Sequence, residues 1–213
     1  MVLKTLQIGV IGGADDKHGI QLYEKGILAA YEIGASIARK GATLITGATT
    51  GMPYAAVLGA SDNGGEIIGI SPARNRLEHL ETYEKPLDCF NAVVFTGMGL
   101  AGREIFNVIS CDGIIAIGGG SGTMTEVGIA SQEEITIGAL SGVGGFSNTL
   151  DKINKLITMR GSKLIISDSP KELVDIMFSY LEINGKLKLS KVKSDYGKDV
   201  RKILKTIRSA GSA

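Results

Sequence analysis

Residues 113–132 read GIIAIGGGSGTMTEVGIASQ. Gly113–Ile117 is apolar throughout, the pattern of a strand covered on both faces. A run of glycines follows at once, and Thr123–Gln132 then shows helical spacing. Strand, glycine turn and helix in that order make half of a βαβ crossover. The same order recurs along the chain. Candidate strands are Thr5–Ile11, Ala42–Thr46, Glu66–Ile70, Ala92–Thr96, Ile135–Ala139 and Lys163–Ser167. Candidate helices are Ile20–Arg39, Pro53–Asp62, Ala101–Ser110, Asn148–Arg160 and Pro170–Leu181.

This alternation predicts an α/β fold, a doubly wound parallel sheet of Rossmann-like type with about seven strands. A sheet order of about 3-2-1-4-5 is expected, which sets strands one and four beside the ligand crevice. Helix ends carry signals. Pro53 suits a first helical turn. Ser169-Pro170-Lys171-Glu172 reads as N-cap, N1 proline and capping-box glutamate. Asn184-Gly185 reads as a stop. Residues 1–183 therefore form one domain and residues 184–213 a basic tail, with Val200, Ile203, Leu204 and Ile207 spaced for one more amphipathic helix.

Composition narrows the classes. Of 213 residues, 44% are apolar and 30 are glycine, which supports a buried core and backbone loops that approach something closely. Cys89, Cys111, His18 and His79 are the whole supply of cysteine and histidine, too few for a Cys/His zinc site. One conceivable bridge is no disulfide framework, so a cytoplasmic setting is expected. No 18-residue apolar run suggests a membrane span. The tail holds nine Lys/Arg and two acids, net +7, whereas the remaining residues sum to −6. With no Trp, stacking platforms for single-stranded nucleic acid are poorly supplied, and nucleic acid is not an expected partner.

The glycines cluster after strands. They are Gly12-Gly13, then Gly47–Gly51 with Thr49 and Thr50, then Gly97, Gly99 and Gly102, then Gly119-Gly120-Ser121-Gly122-Thr123. Loops at carboxyl strand ends share one edge of a parallel sheet. Free amides at helix starts there favour a phosphate. One such loop is explained by turn-making, but four at the same position point to a phosphate or nucleotide site. Gly97–Gly102 spells G-x-G-x-x-G, but it follows the fourth strand and the next strand ends in Gly118, so a dinucleotide fingerprint is not indicated.

Gly118–Glu126, GGGSGTMTE, resembles the P-G-G-x-G-T-x-x-E motif of the LONELY GUY (LOG) phosphoribohydrolases, long misnamed lysine decarboxylases. The spacing back to Arg103 matches as well. TGMGLAGREIFNVISCDGIIAIGGGSGT looks closer still to the DprA/Smf-related Rossmann proteins that include the molybdenum-cofactor carrier protein. IGVIGG, TGATTGMPYAAVLGA and GGEIIGISP match further landmarks, and the likeness covers about residues 6–183. The chain departs from the LOG pattern at Gly118 (proline there), Glu104 (lysine there), Thr125 (glutamate there) and Pro53-Tyr54.

The resemblance implies two functions for one site. In the first, the chain binds a nucleotide or a phosphorylated, molybdopterin-type cofactor as a carrier. In the second, it removes the base from a nucleoside 5′-monophosphate, with Arg103 and Glu126 as the catalytic pair and residues 119–123 on the phosphate. An oxocarbenium-like state suits a neighbouring carboxylate, and a guanidinium fork suits phosphate or ribose hydroxyls. No metal and no obligatory cofactor are expected. DprA kinship and the basic tail suggest, more weakly, salt-sensitive DNA binding. A homo-oligomer, dimer or tetramer, is expected, because Ala101, Ile105, Val108, Ile109, Val127, Ile129 and Ala130 put apolar residues on more than one helix face.

Several residues admit a plainer reading. Thr123-x-x-Glu126 also spells a capping box. Arg103 suits a surface pair with Glu104 or Asp112, but its position after a glycine loop favours ligand contact. Asp15 and Asp16 suit a helix cap, or ribose contact. Thr49 and Thr50 suit a turn, or phosphate contact. Ser141–Ser147 reads as a surface loop or a lid, with the loop preferred. His18 and His79 read as surface groups, and Cys111 as core.

Overall fold

The computed structural model describes residues 5–14, 19–156 and 161–189, together with Lys202, Leu204 and Lys205. The chain divides into two compact units, Met1–Leu181 and Glu182–Ala213. The first unit alternates strand and helix: β1 (Gln7–Gly12), α1 (Ile20–Arg39), β2 (Thr43–Thr46), α2 (Met52–Ser61), β3 (Glu66–Ser71), α3 (Arg76–Glu81), β4 (Ala92–Phe95), α4 (Gly99–Ile109), β5 (Gly113–Ile117), α5 (Ser121–Gln132), β6 (Thr136–Leu140), a 3-10 turn (Phe146–Thr149), α6 (Leu150–Leu156), β7 (Leu164–Ser167) and α7 (Pro170–Leu189). The last residues of α7 belong to the second unit, in which Lys202, Leu204 and Lys205 are helical and exposed. Among the described residues no helix is long and apolar enough to cross a membrane.

All seven strands form one sheet in the order β4-β3-β2-β1-β5-β6-β7. Every neighbouring pair is parallel. The Rossmann-like α/β fold is as the alternation predicts, but the expected order 3-2-1-4-5 is corrected. The fourth strand extends the sheet outward from β3 as an edge, and the fifth returns beside β1, Ile8 opposite Gly113 and Gly12 opposite Ile117. The burial patterns give the reason. Residues of β5 are buried throughout, so β5 needs cover on both faces, whereas β4 alternates exposed and half-buried and tolerates an edge. The switch in strand order, where ligands bind in such sheets, lies between β1 and β5.

Two hydrophobic layers flank the sheet. Residues of successive parity in β5 supply both: Ile115 and Ile117 pack under α1, α2 and α7, and Ile114 and Ala116 pack under α4, α5 and α6. Each fully buried isoleucine is worth roughly 2 kcal/mol of transfer free energy, so the central strands anchor the sheet.

Three further expectations change. α7 does not stop at Asn184-Gly185 but runs to Leu189. One glycine costs a helix only about 1 kcal/mol, and the Lys-Leu-Lys-Leu that follows has good helix propensity. α3 and the 3-10 turn are not foreseen, being too short for a periodic signal. Helix α6 starts at Leu150, after that turn, and residues 157–160 of the expected helix lie outside the described residues. Asp15, Asp16 and His18 also lie outside them, as does most of the expected tail helix.

Candidate functional site

The loops after β1, β2 and β5 meet at the carboxyl edge of the sheet and are tied together by backbone bonds. Gly13 N–H donates to the Ile117 carbonyl at 3.1 Å, and Met52 N–H donates to the Gly13 carbonyl at 2.8 Å. The loop after β6 closes the circle. Phe146 and Ser147 N–H donate to the carbonyls of Gly119 and Gly118 at 2.8 and 2.9 Å. Gly118 N–H donates to Ser147 Oγ, which in turn donates to the Leu140 carbonyl. Gly145 has φ 64°, and a Cβ on it would lie 2.6 Å from the Gly118 carbonyl carbon, so only glycine lets this segment lie against the glycine loop. Residues 141–147 are thus corrected from surface loop to a built wall, with Val143 and Ser147 buried.

This ring encloses a cavity of about 390 Å³, lined by Gly12, Gly13, Gly119, Gly120, Ser121, Gly122 and Thr123, with Tyr23, Met52, Leu100 and Val143. Helix α5 opens directly onto it. Its N-cap is Gly120, no side chain caps it, and no acidic residue stands in its first turn. Its leading amides have no intrahelical partner, and the helix dipole adds partial positive charge. The arrangement suits a phosphate group.

A second cavity of about 120 Å³ adjoins the first, sharing Gly12, Ala14, Gly122 and Thr123 with it. It holds Thr49, Arg103, Glu104, Asn107 and Glu126. Arg103 is brought in by α4 and is buried, 8% exposed. Gly47 is what makes room: a Cβ there would coincide with Arg103 Nη1. Arg103 Nε has no hydrogen-bond partner. Glu126 is buried, and its Oε1 accepts from Asn107 Nδ2 at 2.8 Å. The capping-box reading of Glu126 is corrected: the helix starts at Ser121, earlier than expected, which sets Glu126 inside the helix and turns its carboxylate toward α4.

The electrostatics follow from burial. Loss of water pushes the Glu126 carboxyl up to about 7, opposed by the Asn107 bond and the Arg103 charge and assisted by Glu104. Burial also raises Glu104, with Arg103 opposing. Burial lowers Arg103, while both carboxylates favour its charge. A carboxylate that titrates near neutrality beside a guanidinium can hold or release a proton at a ligand.

The sequence-predicted residues fall into three groups. Gly12, Gly13, Gly119, Gly120, Ser121, Gly122 and Thr123 meet around the larger cavity, and Thr49, Arg103 and Glu126 meet at the smaller. Gly51 supports the site from behind, packed against Gly13. Gly97, Gly99 and Gly102 line neither cavity. Gly97 and Gly99 N–H are engaged by the carbonyls of Ala73 and Pro72, and the loop's contribution is to launch α4.

Asn107 was not foreseen, although it stands one turn after Arg103 on the same helix face, a spacing that could have revealed it. Thr50 is met by Lys85, whose Nζ donates to Thr50 Oγ1 at 3.5 Å. His79 is corrected from surface to core. It is 0% exposed, with Nδ1 2.7 Å from Ser71 Oγ, because α3 folds back over the end of β3. Cys111 is buried and bonds the Asn107 carbonyl, as its core reading requires.

Residues 5–174 match the SLOG cluster4 family. The chain belongs to that family. An uncharacterised protein of Archaeoglobus fulgidus is 34% identical over 138 residues, 65% of this chain and 82% of its own length. Among solved structures, the molybdenum cofactor binding protein of Rippkaea orientalis superposes with a TM-score of 0.69 at 28% identity, covering 84% of this chain and 99% of its own. The molybdenum cofactor carrier protein of Chlamydomonas reinhardtii does so with a TM-score of 0.67 at 24% identity, covering 84% and 99%. The SLOG assignment agrees with the resemblance read from Gly118–Glu126, and the Rossmann-like fold is shared with these structures. Among the described residues no group of three or more His, Cys, Asp or Glu could hold a metal ion.

Proposed function

We propose that this SLOG protein binds a phosphorylated small molecule of the molybdenum-cofactor type and carries it without turnover. The observation that supports this most is the larger cavity, with uncapped α5 and its glycine loop aimed at it and no acid in the helix's first turn. Gly12, Gly13 and residues 119–123 hold the phosphate, and Thr49 lines the adjoining cavity. The molybdenum cofactor binding protein among the structural relatives supports the ligand class. The cofactor's metal is part of the cargo. Gel filtration of the chain with molybdenum cofactor released from a molybdoenzyme tests the proposal. Molybdenum co-eluting at about one per chain is the expected result, lost in Gly120→Asp, where an acid meets the phosphate. Absence of co-eluting molybdenum from the folded wild type overturns the carrier reading.

A second reading, hydrolysis of a nucleoside 5′-monophosphate to base and ribose 5-phosphate, draws on Arg103 beside a Glu126 that titrates near 7. Glu126 would stabilise oxocarbenium charge or orient water, and Arg103 would hold the sugar hydroxyls. Ribose 5-phosphate release from a nucleotide panel, abolished in Glu126→Ala and in Arg103→Ala, would establish it. No release alongside retained nucleotide binding leaves the carrier.

A further inference from the structure

Two side chains that line the smaller cavity, Arg103 and Asn107, each carry a buried polar atom that the protein leaves unmatched. Arg103 Nε is a donor without an acceptor, and Asn107 Oδ1 is an acceptor without a donor. The two residues are 8% and 1% exposed, and both line the same cavity. Native proteins leave few such atoms, and a pair of opposite kind on side chains lining one cavity calls for a ligand edge that supplies one acceptor and one donor.

The rest of the polar wall narrows the chemistry. Glu104 and Glu126 both line the cavity, so Arg103 faces two carboxylates. A second phosphate placed here would meet two acids against one guanidinium, which disfavours it. The favoured group is neutral, rich in N–H donors and equipped with one carbonyl. Adjacent parallel N–H groups match a carboxylate in bidentate fashion. A planar ring with an amino group beside a ring N–H, and a carbonyl on the next carbon, supplies that set.

We propose that the smaller cavity reads the 2-amino-4-oxopyrimidine edge of a guanine- or pterin-type ring. The ring N–H and 2-amino group face the acceptors of Glu104, Glu126 and Asn107 Oδ1, and the 4-oxo oxygen accepts from Arg103 Nε. This rests on the reading that the glycine cavity holds the phosphate of the same molecule. The walls shared at Gly12, Ala14, Gly122 and Thr123 allow one ligand to occupy both. In the hydrolytic reading the same acids would face a sugar instead.

Two probe pairs that differ in the ring's 2-amino group test the proposal by calorimetric titration. They are guanosine against inosine 5′-monophosphate, and pterin against lumazine, which carries oxygen in place of the 2-amino group. Inorganic phosphate is the phosphate control. Loss of the amino donor is expected to weaken binding roughly tenfold in each pair. Glu126→Gln, with its melting temperature checked, is expected to bring each pair within about twofold while the affinity for inorganic phosphate holds.

If both pairs bind equally in the wild type, the ring subsite is overturned, and retained binding of inorganic phosphate leaves the phosphate reading standing. If inorganic phosphate and both nucleotides fail while pterin still beats lumazine, the phosphate reading falls and the ring subsite survives. If no probe binds, both are overturned.

Discussion

Asn107 Nδ2 donates to Glu126 Oε1 at 2.8 Å, and this bond joins α4 to α5 inside the site. It lowers the Glu126 pKa against a larger upward push from burial. Asn107→Ala removes the donor and also removes the unmatched Oδ1, so two effects of opposite sign meet. The net loss of stability is expected near the low end of the usual range for such bonds, about 1 kcal/mol. The pKa of Glu126 should rise further from its value of about 7. Urea unfolding gives the first quantity and carboxyl-carbon NMR titration the second. An unchanged or falling Glu126 pKa would show that this bond does not govern its charge.

Stability should fall as pH rises through the Glu126 transition. The carboxyl titrates near 7 when folded, against an ordinary 4.5. The folded state therefore holds more protons than the unfolded state between those values, and the slope of stability with pH is negative there. The contribution is fully present below about 4.5 and is lost as pH climbs past 7, on the order of 3 kcal/mol in all. Glu126→Gln cannot ionise and should flatten this part of the curve. Unfolding free energies measured at pH 5, 6, 7 and 8 (spacing chosen to span about 3 units) for both proteins check it. Parallel curves would contradict the assignment.

His79 contributes a slope of the opposite sign. Burial lowers its pKa, and the charges of Lys85 and Arg103 lower it further. The folded state then holds fewer protons than the unfolded state below the ordinary histidine value, so stability is lost as pH falls through that range. His79→Gln should remove the acid-side loss while leaving the neutral-side decline due to Glu126. Ser71→Ala leaves His79 Nδ1 without its 2.7 Å partner and should cost about 1–3 kcal/mol. Proton NMR titration of the His79 ring gives the sign directly: a pKa above that of a free histidine would reverse the argument.

How much of this could be read in advance depends on the range of the interaction. GIIAIGGGSGT announces a strand, a turn and a helix through local rules, and the structure has them at Gly113–Ile117 and Ser121–Gln132. The order of strands is not local. It turns on the contrast between β4, half-exposed, and β5, buried throughout, which emerges only when the sheet is assembled. The glycine loops that meet around the larger cavity were legible because each is a run of neighbouring residues after a strand. Gly97 and Gly99 misled because the partners of their amides, Ala73 and Pro72, come from another loop. His79 looked like a surface group for the same reason: its partner Ser71 is on β3 and its cover comes from tertiary folding.

Gly47→Ala should damage the smaller cavity while sparing the larger one. The new Cβ would occupy the place of Arg103 Nη1, and the guanidinium is buried, so it has little room to retreat. Overpacking of this kind costs typically 1–3 kcal/mol, so about 2 kcal/mol of stability is expected to be lost. Ligand contacts through Arg103 should weaken, while inorganic phosphate, which would engage only the proposed phosphate site at residues 119–123, should bind about as before. Thermal unfolding and titration of the one variant separate the two effects. A variant as stable as wild type would mean that Arg103 moves aside freely.

Self-association is the last expectation, and α4 supplies the argument. Val108 on this helix is buried, but Ile105, Phe106 and Ile109 are 48%, 42% and 49% exposed in the single chain. Ile105 and Ile109 stand one turn apart and Phe106 is beside them, so they form one apolar face rather than scattered residues. Val94 of the edge strand β4 is exposed as well. Covering that face with a second copy removes apolar area from water at roughly 25 cal/mol per Å². Light scattering at micromolar concentration is expected to give a mass of two or four times 22.3 kDa. Ile109→Lys places a charge in the middle of the face and should shift the mass toward one chain, with helical content unchanged by circular dichroism. A wild-type protein that scatters as a single chain would remove this face from any role in assembly.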